Sequence, residues 1–154
     1  MSDSKITMVD ISGKEDVLRV ATAVGVIKLK KKTIEAIKKG EIKKGDPLVN
    51  ARYAAVNAVK HTSSLIFLAH PIPITNVDVN FKINDEENSI RAEVTVKSIG
   101  KTGVELEALN GVMIGLLSIW DMCKYLEKDE QGQYVETEIK GVKVVKKEKL
   151  KLKV

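Results

Sequence analysis

With 154 residues, 44% of them hydrophobic, the chain is long enough to bury one core and short for two. A formal charge of +5, carried mostly by lysine because Arg19, Arg52 and Arg91 are the only arginines, suits anionic partners such as nucleic acid or a phosphorylated metabolite. The lone Cys123 excludes an intrachain disulfide framework or a cysteine zinc site; no stretch reads as a signal peptide or reaches the length of a bilayer span, so a cytoplasmic protein is expected.

Met1–Gly13 has no sustained periodicity and is expected to form an extended arm. Arg19–Lys30, rich in valine, isoleucine and alanine, predicts a buried strand, and Thr33–Lys39 a short helix stopped by Gly40. Asp46-Pro47 is a helix start, an aspartate cap followed by proline at the first helical position. Leu48, Ala51, Ala55, Ala58 and Val59 carry that helix to about Lys60, with His61 after it and Ser63-Ser64 read as a turn. Pro71 and Pro73 then bar a regular helix around His70. Ile74–Asn84 and Ser89–Ile99 each alternate apolar and polar residues around the turn Asp85–Asn88, which predicts a hairpin with one wet face.

Gly103–Lys124 predicts the long central helix, ending near Lys128, with Leu109, Met113, Leu116, Trp120 and Cys123 as its buried stripe. Its other face is small: Ala108, Gly111, Gly115 and Ser118. Each helical glycine costs about 1 kcal/mol relative to alanine, so two on one face imply a close neighbour, either a sheet or a partner subunit. Gln131–Tyr134 reads as a loop, and Val135–Val154 as a lysine-rich final edge strand. Leaving aside the short first helix, the order β-α-β-β-α-β predicts one α+β domain over residues 1–154. That order is the ferredoxin-like fold, an antiparallel sheet with its helices on one face.

Several residues are candidates for chemistry. Asp121 and Lys124 stand at i,i+3 and can meet on one side of the helix, which by itself describes a surface ion pair equally well. His70 lies in a rigid proline turn, where a loop residue can serve a site. Lys44 precedes a helix start and suits a phosphate. No phosphate-binding glycine loop is present. Glu105 and Glu107 would point ~200° apart on a regular helix, so no metal set is expected there.

The ordered motifs Met8–Ser12 (MVDIS), Lys44–Asp46 (KGD), Ala51-Arg52 with Lys60, Leu68–Pro71 (LAHP), Gly100–Leu109 (GKTGVELEAL) and Trp120–Lys124 (WDMCK) resemble the cyclic pyranopterin monophosphate synthase family. This is the accessory protein C of molybdenum cofactor biosynthesis. The resemblance implies a ferredoxin-like fold, a homohexamer built as a trimer of dimers, and a lyase. Its substrate would be a GTP-derived cyclic dihydronucleotide, converted to cyclic pyranopterin monophosphate with loss of diphosphate. By matched position it implies Asp121 and Lys124 as the catalytic pair, and Leu68, Ala69, His70, Leu106 and Glu107, with Glu105 beside them, as substrate-binding residues. Arg19, Lys44, Lys60 and Lys147 match basic positions suited to the triphosphate. No resident cofactor is implied; magnesium is compatible as a companion of the triphosphate, without a protein cage. Ala69 replaces the family's usual cysteine, Leu106 its methionine and Trp120 its tyrosine, and Lys146–Lys149 replaces a glycine-rich tail. The competing readings are a basic RNA-binding module, for which aromatics at 4% and an inward Phe81 are unfavourable, and a non-catalytic assembly module.

Overall fold

The computed structural model describes residues 4–153; the expectations for Met1–Asp3 and for Val154 lie outside them. The chain runs β1 (Val17–Lys28), α1 (Lys31–Lys39), α2 (Pro47–Leu65), β2 (Ile74–Asn84), β3 (Ser89–Gly100), α3 (Glu105–Glu127) and β4 (Glu138–Leu150). The strands form one antiparallel sheet in the order β2-β3-β1-β4, the ferredoxin-like arrangement with a short extra helix. Register follows the two-residue alternation. Ile90, Ala92, Val94 and Val96 of β3 pair with Ile83, Phe81, Val79 and Val77 of β2 on one side and with Ile27, Gly25, Ala23 and Ala21 of β1 on the other. These β3 side chains are essentially fully buried beneath the helices. Phe81, the only aromatic in the four strands, is among the residues packed against this core, so among the described residues the open face offers no ring for base stacking. β4 is the expected edge strand, shorter than the predicted segment and kinked by two register shifts against β1.

α2 begins as predicted: Asp46 Oδ1 accepts the Leu48 and Val49 amides at 2.9 and 3.1 Å, a cap worth about 1 kcal/mol. It continues past Lys60 to Leu65, so His61 and Ser63-Ser64 are helical rather than beyond the helix or in a turn. The cause is tertiary. Asn110 of α3 donates its amide to the Ala58 carbonyl (3.0 Å) and the Thr62 hydroxyl (3.2 Å), which clasps the last turns in place after the apolar repeat fades.

α3 is buried on two sides, by the sheet and by α2, and its buried stripe is accordingly rotated from the predicted one. Ala108, Val112, Leu116, Ile119 and Cys123 are fully buried, whereas Met113 is 45% exposed and Leu109 and Trp120 are half-buried. The close neighbour implied by the glycines is α2 of the same chain. A Cβ on Gly111 would meet Val59 at 2.9 Å, and one on Gly115 would meet the Ala51 carbonyl at 3.5 Å. At 23 residues α3 is, contrary to expectation, long and apolar enough to cross a membrane, but more than half of its most apolar window is buried within the fold. Its C-terminal end is anchored by Glu127, whose fully buried carboxylate accepts the Lys30 amide (3.1 Å), the Thr33 hydroxyl and the Thr137 hydroxyl (2.8 Å). Those three donors satisfy the buried carboxyl oxygens and fix the last turn of α3 against the start of α1.

Candidate functional site

The candidate residues gather at the two ends of α3. At its C-terminal end Asp121 accepts Lys44 Nζ at 3.0 Å and Lys124 Nζ at 3.1 Å. Lys124 comes from the same helix one turn on. Lys44 comes from the short loop between α1 and α2, where Gly45 adopts φ 113° to turn the chain into the Asp46 cap. The Tyr125 hydroxyl steadies this loop by accepting the Lys43 amide at 2.9 Å. All three charged side chains are about half exposed, with Asp121 at 55%, so the cluster adds little to stability and leaves its charges accessible to a ligand. The Lys44 hydrogen bond first, and then that of Lys124, hold the Asp121 carboxyl below the usual carboxylate range. A cavity of about 430 Å³ opens here between Lys44, Asn50, Tyr53 and Asp121. The apolar neighbours Met122 and Cys123 turn inward, and burial pushes the Cys123 thiol up to about 12, so it is no nucleophile at neutral pH.

At the other end, Glu105, Leu106 and Glu107 form the first turn of α3, where the helix dipole favours acids. Both carboxylates line one cavity of about 390 Å³ together with Leu68, Ala69 and His70, which the proline turn carries over from α2. Among the described residues no group of three His, Cys, Asp or Glu could hold a metal ion. Glu107 is 4% exposed, and burial, only partly offset by its own amide and reinforced by Glu105, raises its carboxyl above the usual range. Burial raises Glu105 too, but the Lys147 ammonium bonded to it, its own amide and the charges of Lys147 and Arg19 bring it below that range overall. His70 Nε2 donates to the Val9 carbonyl at 2.7 Å, which places a proton on that nitrogen.

Not every candidate reaches a cavity. Arg19 is 5% exposed and donates to the Gly100 carbonyl at 3.3 Å, so it acts on the second cluster through Glu105. Lys147, on β4, pairs with Glu105. Lys60 is exposed on α2 and lines neither cavity. Thr7, Val9, Ile11 and Lys14 of the N-terminal arm also line the second cavity, and no periodicity had marked them. Glu107 and Asp121 lie 14 positions apart on one continuous helix, so ~21 Å of axis separates the clusters within a chain.

The raised carboxyl of Glu107 has a consequence for stability. Such a group favours the folded state fully below its unfolded pKa and loses that contribution as pH rises through the folded one. Glu107→Gln removes the ionisation, so the variant is expected to melt at the same temperature as the parent near pH 4 and higher than the parent at pH 8, while losing ligand affinity. Thermal melts at the two pH values check this; a lower melting temperature at pH 8 contradicts it.

Comparison with known proteins places this geometry in a wider set. The model of the MoaC family matches residues 8–149. A probable cyclic pyranopterin monophosphate synthase of Archaeoglobus fulgidus is 53% identical over 97% of this chain and 94% of its own length. One of Methanococcoides burtonii is 50% identical over 97% and 92%. A probable cyclic pyranopterin monophosphate synthase accessory protein of Methanothermobacter thermautotrophicus is 51% identical over 96% and 91%.

Proposed function

The chain belongs to the MoaC family, and we infer from that membership that it is a lyase of molybdenum cofactor biosynthesis. It converts (8S)-3′,8-cyclo-7,8-dihydroguanosine 5′-triphosphate to cyclic pyranopterin monophosphate and diphosphate. The observation that carries the assignment of roles is the accessible Asp121 held between two lysines, a cluster that adds little to the stability of the fold. In this reading the base half of the substrate enters the cavity of His70 and Glu107, where a carboxylate can accept the N–H groups of a guanine-type ring. The triphosphate meets Lys44 and Lys124, and Arg19 and Lys147 set the charge around Glu105, whereas Lys60 lies ~20 Å along α2 from the helix start beside Lys44.

Rearranging the base and closing the cyclic phosphate both move protons. With its lysines in place the Asp121 carboxyl is held below its ordinary range and is a weaker base than a free carboxylate. When phosphate oxygens draw Lys44 and Lys124 away, Asp121 rises toward its ordinary pKa and becomes a stronger base, and the same ammonium groups neutralise the departing diphosphate. The reaction changes no oxidation state overall, so it calls for no electron carrier, and magnesium would arrive with the triphosphate.

The separation of the clusters supports a site completed by a second copy. The glycine face of α3 is covered by α2, so it is not where a partner helix docks. An apolar face remains open beside it: Met113 (45% exposed) and Leu117 (54%) of α3, with Val49 and Tyr53 of α2. A partner antiparallel across this face would bring one chain's Glu107 toward the other's Asp121. A cytoplasmic homohexamer, a trimer of such dimers, is the assembly we propose.

The test is incubation with the cyclic dihydro-GTP substrate and measurement of both products. Equal amounts of cyclic pyranopterin monophosphate and diphosphate are expected. RNA retention on filters without either product would favour a nucleic-acid-binding module instead.

A further inference from the structure

The MVDIS motif and the lysine that follows it have no role in the reaction as described so far, yet the structure builds them into a wall of the second cavity. Thr7, Val9, Ile11 and Lys14 line it together with Glu107. The arm is tied down rather than loose. His70 holds the Val9 carbonyl at 2.7 Å, and Lys101 Nζ donates to the carbonyls of Ser12 (3.3 Å) and Lys14 (2.9 Å). Asp10 closes a turn by accepting the Ser12 amide at 2.9 Å, and the Lys14 amide donates to the Ile11 carbonyl at 3.0 Å. Two anchors, His70 and Lys101, make three bonds to one irregular segment and place Lys14 on the cavity wall. Its side chain is exposed and, among the described residues, its ammonium pairs with no carboxylate. Lys101, by contrast, is spent on backbone carbonyls, and Lys147 on Glu105.

One cavity is therefore lined by two acids from α3, the largely buried Glu107 and the Lys147-paired Glu105, and by one uncommitted cation from the arm. That donor and acceptor set matches the edge of a lactam ring, in which N–H groups stand beside a carbonyl oxygen. We propose that Lys14 is a specificity-determining residue which reads the carbonyl oxygen of the dihydroguanine ring while Glu107 accepts from its N–H groups, with the anchored arm as the wall that sets their spacing. This rests on the function inferred above. Saturation of the ring at the position joined to the ribose leaves the lactam edge intact, so GTP, which carries that edge, serves as an unreactive probe. 2-Aminopurine riboside triphosphate keeps the ring nitrogen skeleton, the amino group and the triphosphate but lacks the carbonyl and, with it, the adjacent ring N–H.

The experiment is calorimetric binding of the two nucleotides to the full-length wild type, Lys14→Met, Lys14→Arg and Lys101→Met. A hydrogen bond from a charged donor predicts that wild type prefers GTP by at least about tenfold. Lys14→Met should reduce that preference by weakening GTP alone, leaving only the part owed to the ring N–H that Glu107 accepts; Lys14→Arg should keep it, and Lys101→Met should reduce it by loosening the arm. Equal weakening of both nucleotides by Lys14→Met would mean that Lys14 meets the phosphates, and overturns the assignment. No change in either affinity, or a wild type that does not prefer GTP or binds neither nucleotide, overturns it as well. Product formation by wild type from the cyclic dihydro-GTP substrate is measured alongside, so a failed lactam assignment in an active enzyme is distinct from a failed function.

Discussion

Asp121→Asn is expected to lower single-turnover product formation by about a hundredfold to ten-thousandfold, the usual contribution of a general acid–base group, while substrate binds with near wild-type affinity. The substitution keeps the size and hydrogen-bonding outline of the side chain but cannot accept a proton at the rate-determining geometry. The fold should be indifferent to it, because Asp121 is 55% exposed and its bonds to Lys44 and Lys124 are surface contacts. Lys124→Met should lose turnover to a similar degree. Lys44→Met has a separate signature. The Lys44 hydrogen bond is the leading cause that depresses the Asp121 carboxyl, so its loss lets that carboxyl rise toward the ordinary value. The acid limb of the free enzyme's pH–rate profile should then move to higher pH, which a purely structural lysine would not cause. Calorimetry beside quenched single-turnover assays over a pH series reads all of these. Normal turnover by Asp121→Asn would reduce the cluster to a surface ion pair.

Where local chemistry dictates structure, the sequence was legible. The hairpin of β2 and β3 follows from strict alternation between Val77 and Ile83 and between Ile90 and Val96, and its register matches the inward set residue for residue. The start of α2 follows from Asp46-Pro47. What escaped is non-local. The end of α2 is set by Asn110, some fifty positions away, whose amide only matters once α3 has packed. The stripe of α3 was misplaced by a step because a helix buried on two sides has no single apolar face for periodicity to find. No local pattern marks Glu127 as buried, because the Thr33 and Thr137 hydroxyls that bond it meet it only in the fold.

The site shows the same division. Asp121 and Lys124 are visible as an i,i+3 pair, whereas Lys44 joins them from 77 residues away and no spacing announces it. The roles of Leu68, Ala69, His70 and Glu107 came from the motif resemblance rather than from periodicity. Their gathering in one cavity is a product of the fold, because the proline turn delivers His70 to the first turn of α3. The arm carried no helical or strand signal, since its place is set by side-chain bonds to carbonyls from His70 and Lys101.

The separation of the two clusters along α3 makes the shared site the most exposed part of the proposal. Glu107→Ala and Asp121→Ala chains, each expected to be inactive alone, are to be unfolded, mixed in equal amounts and reassembled, with mixed oligomers verified by mass spectrometry. In a symmetric dimer whose every site takes Glu107 from one chain and Asp121 from the other, random pairing restores about a quarter of the wild-type turnover. Recovery near that level, measured as diphosphate release from the cyclic dihydro-GTP substrate, is the predicted result; verified mixed oligomers with no recovery would contradict a site built across two copies of the chain.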